Sequence, residues 1–189
     1  MLVASFYDSP SSRGQALRLR TSVQALGLEC RIFDRSGRPG IDGETGWKAE
    51  GLLRTLADHP EHDVFLVHPG SVLLRRPDAL LDEFAFDVAV YYDLETRLPG
   101  ESLFVRNSER IWRALRSWHY AGRRHPELGD QDTLSRVLDD PAQPLDVRRL
   151  PVTYDWVERL HRERHPDASP VLARMVSDGR RTRRTLVAR

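Results

Sequence analysis

The stretch Asp63–Asp78, DVFLVHPGSVLLRRPD, sets two short apolar runs on either side of a sharp interruption. Val64 to Val67 has the length and composition of a strand buried on both faces. It stops at His68-Pro69-Gly70, where proline removes a ladder donor and glycine permits a tight bend. A second run, Ser71 to Leu74, then leads into Arg75-Arg76-Pro77-Asp78. In open α/β sheets ligands bind in the crevice beyond the carboxyl ends of the strands. The turn that ends this strand offers such a crevice one imidazole and no carboxylate.

The flanking sequence alternates strand and helix patterns. Leu2 to Tyr7 is almost continuously apolar and reads as a first strand. DSPSSRG follows with turn and capping residues. Ala16, Leu19, Val23 and Leu26 then recur at helical spacing up to a Gly27 cap. Cys30 to Phe33 is a short second strand, and DRSGRPGIDGETG is a loop by composition. Ala49, Leu52, Leu53 and Leu56 form the apolar face of a second helix, ahead of the Val64–Val67 strand. Asp87–Tyr92 and Ser102–Arg106 are further strands. Asn107 is placed to cap a third helix through Ile111, Leu115 and Trp118. A fourth helix starts near Asp130, and LDVRRLP is a last short strand ending at Pro151. This order predicts an α/β domain with a central, mostly parallel sheet flanked by helices.

The chain has 189 residues, enough for one domain with a real core. Its formal net charge of +1 gives no global reason to expect a nucleic-acid partner. Lys48 is the only lysine among 29 basic residues, which singles it out. Cys30 is the only cysteine, so an intrachain disulfide and a cysteine zinc cluster are both excluded. The N-terminal stretch lacks the pattern of a signal peptide, and no apolar run approaches the roughly 18 residues that span a membrane. These features predict a cytoplasmic protein without a membrane span.

Four segments in order, WKAEGLLRTL, DVFLVHPGSVLLRRPD, LFVRNSERIWRALRSW and DQDTLSRVL, followed by RLPVTYDW, carry a family resemblance. Together they resemble the GT-A class of nucleotide-diphospho-sugar glycosyltransferases from about Leu2 to Asp178. The resemblance implies a single GT-A-like, Rossmann-like domain over residues 1–179, with 180–189 as a basic C-terminal tail. In that family the strand equivalent to Phe65–Val67 runs into an Asp-x-Asp motif that holds a divalent metal, manganese or magnesium. The metal neutralises charge on the leaving nucleoside diphosphate. Here the motif falls on His68-Pro69-Gly70, and both carboxylates are absent.

Two readings of that loss stand side by side. In one, cationic side chains have replaced the metal, since arginine forks suit phosphate oxygens. Arg75 and Arg76 lie just downstream, and the resemblance places Arg13 and Lys48 near the donor. In the other, donor binding has decayed and HPG is simply a turn. The resemblance further implies donor contacts from Tyr7, Asp8, His68, Gly70 and Ser102, with a UDP- or GDP-sugar as donor. Asp130 or Asp132 would orient the acceptor hydroxyl or act as its general base. Asp130-Gln131-Asp132 also fits a helix cap with an acidic first turn. Trp156 is the acceptor-side candidate, whereas Trp118 belongs to a core-facing stripe. His68, Asp93 and Asp178 are the only metal-ligand group the residues offer. Three functions follow in order: sugar transfer to an unidentified acceptor, a catalytically inactive binding or assembly module, and nucleic-acid association through the arginine-rich tail.

Overall fold

The computed structural model describes residues 1–35, 46–81, 86–92 and 99–174. Six strands form one sheet in the order β2-β1-β3-β6-β5-β7. They are β1 (Leu2–Tyr7), β2 (Glu29–Asp34), β3 (Val64–Leu66), β5 (Val88–Tyr92), β6 (Pro99–Val105) and β7 (Val147–Arg149). β1 pairs in parallel with β2 and β3, and β5 with β7, while β6 runs antiparallel between β3 and β5. The sheet is thus mostly parallel, as the alternation of patterns predicts, with one reversed strand. The helices are α1 (Pro10–Ala25), α2 (Trp47–Asp58), α3 (Glu109–Arg124), α4 (Asp130–Leu138) and the short α5 (Glu158–His161). No described helix is long and apolar enough to cross a membrane.

The central strands β1, β3 and β5 are almost continuously apolar because both faces of the sheet are covered there, whereas the edge strands β2 and β7 carry charged residues. Leu2, Ala4 and Phe6 of β1 point into one core with Val64, Leu66, Leu103 and the inner faces of α2, α3 and α4. Val3 points the other way, into a second core with Phe65, Phe104 and α1 residues Leu19 and Val23. The period-two alternation of side chains along each strand assigns residues to the two cores. Trp118 is 1% exposed and sits in the first core, as expected from its helical stripe.

Three local features differ from the sequence expectation. Ser108, not Asn107, caps α3, its hydroxyl accepting from Ile111 N–H at 3.3 Å. Asn107 instead accepts from Trp112 Nε1 and donates to the Pro60 carbonyl. Gly129 holds the cap position of α4, so Asp130 is the first residue inside that helix. The run after His68-Pro69-Gly70 is a strand, β4 (Ser71–Leu73), paired antiparallel with β8 (Leu172–Arg174) in a second small sheet. That pairing joins residues a hundred positions apart, which local periodicity does not report.

Gly51 marks the closest approach of α2 to the sheet. A Cβ there would lie 2.2 Å from Cε1 of Phe6. The Phe6 ring is itself held by Phe33 and Trp47 and cannot swing clear. Gly51→Ala should therefore cost about 1–3 kcal/mol through overpacking. Gly14→Ala, in α1 with nothing within 4 Å of its Cβ, should instead stabilise by about 0.5–1 kcal/mol. Urea denaturation of the two variants checks both signs.

Candidate functional site

The carboxyl ends of β1 and β3 lie at one edge of the sheet, and β6, being reversed, starts there. Ser5 Oγ donates to the Val67 carbonyl at 2.8 Å and Val67 N–H donates to Ala4, so β1 fixes the chain leaving β3. β3 and β6 pair with Leu66 opposite Leu103. Beyond the end of β3, His68 lies within electrostatic reach of Glu101. Lys48, in the first turn of α2, donates to Glu101 Oε2 at 3.2 Å. This ion pair rests on an apolar floor that includes Leu66, Leu103 and Leu134. An open cleft of about 460 Å³ continues outward, lined by Trp47, Lys48, Glu101, Asp130, Gln131 and Asp132 among others.

Asp130 is 9% exposed, and its Oδ1 accepts from Gly46 N–H at 2.7 Å. Gly46 caps α2 with φ of 88°, in the left-handed region that favours glycine, and a Cβ there would meet the His119 carbonyl at 3.2 Å. His119 Nδ1 donates to the Gly46 carbonyl at 3.1 Å. The start of α2 is thus clamped by α3 and α4. Burial raises the pKa of Asp130, although the Gly46 N–H opposes the rise.

The turn at His68 is a self-closed unit. Gly70 N–H donates to His68 Nδ1 at 2.9 Å, which leaves the ring proton on Nε2. A Cβ at Gly70 would meet His68 Nδ1 at 3.0 Å and Gln15 Oε1 at 3.2 Å. Burial lowers the pKa of His68, helped by Arg174 and Lys48, while Glu101 and Asp155 oppose the shift. Glu101 is pushed upward by burial but held below its ordinary value by the Lys48 charge and hydrogen bond.

The second cation at this corner comes from β8. Arg174 is the register partner of Ser71, and its Nη2 donates to both oxygens of Asp155 at 2.8 and 2.9 Å. Asp155 is 7% exposed, and burial raises its pKa against the pull of Arg174. Arg75 and Arg76 do not come here. Arg75 donates to the Ser169 and Pro170 carbonyls, and Arg76 to Asp78 and the Leu26 carbonyl.

The remaining expected contacts divide clearly. Lys48, Asp130 and Asp132 line the cleft, and the His68–Gly70 turn lies outside its lining, with His68 within electrostatic reach of Lys48 and Glu101. Tyr7, Asp8 and Arg13 lie at the end of β1 and the start of α1, outside its lining. A hydrogen bond to Asp34 raises the pKa of Tyr7, and Asp8 accepts from Ser12 Oγ at 3.0 Å. Ser102 does not face a ligand: it is 1% exposed and donates to the Tyr154 carbonyl at 2.7 Å. Trp156 has no ring face open for a sugar, being 1% exposed, with Nε1 donating to Glu158. Trp47 is the tryptophan that lines the cleft, with the Arg35 guanidinium 4.2 Å from its ring centre. Asp93 and Asp178 lie outside the described residues, as does the tail. Among the described residues no three His, Cys, Asp or Glu side chains are grouped to hold a metal ion. The donor set at the corner does not fit one either. His68 Nδ1 is occupied, and the carboxylates of Glu101 and Asp155 already face an ammonium and a guanidinium.

No protein-family model matches the chain, and no curated protein matches it in sequence. Its fold is that of solved GT-A-type glycosyltransferases. A glycosyltransferase involved in the glycosylation of the major capsid of PBCV-1 superposes with a TM-score of 0.73 at 9% identity, over 96% of this chain and 95% of that one. GlyE of Streptococcus pneumoniae TIGR4 gives 0.58 at 12% identity, over 94% of this chain and 54% of GlyE. The galactosyltransferase LgtC, solved with donor and acceptor sugar analogs, gives 0.57 at 12% identity, over 94% and 88%.

Two measurements test the site. Asp130→Ala should cost about 1–3 kcal/mol by stranding the Gly46 N–H, while Asp130→Asn keeps an acceptor and costs much less. Urea midpoints separate them. For His68 the folded pKa is depressed, so the unfolded chain takes up the proton first as pH falls. Its contribution is complete above the unfolded value of about 6.5 and declines below it until the folded value is passed. The stability advantage of wild type over His68→Gln should therefore shrink as pH falls below about 6.5.

Proposed function

We propose that this chain transfers a sugar from a nucleotide-diphosphate donor to an acceptor hydroxyl, using side-chain cations where related folds use a metal. The observation that carries the reading is the Lys48 ammonium, held by Glu101 at the mouth of the cleft beside the His68 turn. It lies over an apolar floor, where low dielectric strengthens its field. Such a fixed cation can stabilise a leaving diphosphate without reorganising as charge develops. The glycosyltransferase fold supports the reading, and so does the place of the cleft beyond the strand ends.

Within it, Tyr7, Asp8 and Arg13 are proposed for the nucleoside end of a UDP- or GDP-sugar. Lys48 and the His68–Gly70 turn take the diphosphate end. Asp130 spends an oxygen on Gly46, so Asp132, half-buried in the lining, is the carboxylate proposed to orient or deprotonate the acceptor hydroxyl. A binding module without catalysis is the second reading. It is favoured by the charge balance of the corner, where carboxylates answer both cations.

Calorimetric titration with a panel of nucleotide sugars, in EDTA and in manganese, tests the proposal. Donor binding unchanged by EDTA and weakened at least tenfold by Lys48→Met is expected. Binding without product, over any acceptor, would favour the binding module. Absence of binding to every donor would sink the transferase reading.

A further inference from the structure

The outer face of α3 is used neither by the core nor by the cleft. Its inner stripe, Ile111, Ala114, Leu115, Trp118 and Gly122, is buried. At about 3.6 residues per turn the opposite stripe is Glu109, Arg113, Arg116, Tyr120, Arg123 and Arg124, and every one of them is exposed. Four guanidinium groups thus share one line about 16 Å long, with a single carboxylate at its start. The chain as a whole carries a net charge of only +1, so positive charge is segregated onto this face. Tyr120 sits among the arginines and is 63% exposed, the most of any large apolar side chain described.

The fold accounts for part of this stripe. The helix dipole favours Glu109 in the first turn and Arg123 and Arg124 in the last. It does not reach Arg113 and Arg116 in the middle, where like charges three positions apart weaken a helix. Nor do ion pairs explain them. Among the described residues Arg116, Arg123 and Arg124 have no carboxylate partner, and Arg113 has only Glu109, at 3.9 Å. Arg116 merely lies over the Trp112 ring, 6.0 Å from its centre.

The shape around the stripe narrows the partner. α3 packs between α2 and α4, so the arginines crown a layer of helices rather than a protruding one. The neighbouring helices keep α3 from entering a DNA major groove, which is only about 12 Å wide. The face is a ridge and offers no groove to a peptide. A planar anionic surface can meet the whole row at once, and tyrosine is favoured at the headgroup level of a bilayer.

We propose that the outer face of α3 seats this protein on an anionic bilayer, with Arg113, Arg116, Arg123 and Arg124 against headgroup phosphates and Tyr120 at the interface. The attraction is peripheral and electrostatic, because the apolar face of α3 stays in the core. Pro126, Glu127 and Leu128 follow α3 directly and line the cleft, so the seated surface runs up to the cleft rim. An acceptor carried by the membrane would then meet the cleft, a consequence that alone rests on the transfer reading.

The test sediments the full chain with vesicles of phosphatidylcholine, alone or mixed with phosphatidylglycerol, in the absence of any nucleotide sugar. Binding to the mixed vesicles only, released by high salt, is expected. Arg113→Gln/Arg116→Gln leaves the helix ends intact and should bind at least tenfold more weakly, on the order of fivefold per arginine. Both side chains are exposed, so the variant should keep the circular dichroism of wild type. The basic tail is controlled by Arg180→Gln/Arg181→Gln/Arg183→Gln/Arg184→Gln, which should still bind mixed vesicles through α3. Wild-type binding by the α3 variant, or loss of all binding in the tail variant, would overturn the seat. So would equal binding to both kinds of vesicle. A short DNA duplex is titrated in parallel, and tighter binding to it than to mixed vesicles, lost in the α3 variant, would assign the face to nucleic acid instead. No arm contains a sugar donor, so the outcome stands apart from that of the nucleotide-sugar titration.

Discussion

The reversed direction of β6 is the constraint on which the cleft depends. A parallel strand in that place would deliver Glu101 to the far edge of the sheet. Running antiparallel, β6 begins where β1 and β3 end, which puts Glu101 within electrostatic reach of His68. The same strand anchors the C-terminal quarter. Ser102 donates to the Tyr154 carbonyl, which fixes the segment holding Asp155, and Trp156 bridges to Ala173 of β8. Residues near 68, 101, 155 and 174 therefore meet because one strand is shared by all their supports.

A second support lies at Gly46, where α2 begins. Its left-handed backbone, the Asp130 carboxylate and the His119 ring together fix the helix start that carries Lys48. An acidic group at a helix N-terminus is favoured by the helix dipole as well as by the hydrogen bond. The burial of Asp130 thus has a structural cause that precedes any role in catalysis. Its neighbour Asp132 makes no such contact with Gly46, which is why the two carboxylates of one short motif separate into a buried anchor and a half-buried group at the cleft.

Much of the fold was legible because its signals are local. The near-continuous apolar run Leu2–Tyr7 and the helical stripes through Leu19, Leu52 and Trp118 depend only on near neighbours in sequence. Lys48 was legible as a lone lysine on a helix next to a glycine-rich loop. Glu101, Asp155 and Arg174 were not, because each gains meaning only through pairing over long separations. Arg75 and Arg76 misled through nearness in sequence, since the chain after β4 carries them toward the Ser169–Pro170 carbonyls and Leu26. Trp156 misled through its loop-like context. Its bridge to β8 buries it, while Trp47, at the start of α2, took the place at the cleft.

The His68 turn is a self-consistent unit built without a carboxylate. A Cβ at position 70 would press on the His68 ring at 3.0 Å, and His68 Nδ1 accepts from the Gly70 N–H. Neither position can take a carboxylate without disturbing the other. A metal would also have to displace Lys48 from Glu101, leaving an ammonium half-buried beside a divalent cation. Each member of the set (histidine, glycine, lysine, glutamate) is compatible with the other three and incompatible with the ion. The physical coupling runs through backbone, ring and ion pair at once, so a substitution at any one of these residues disturbs the whole corner.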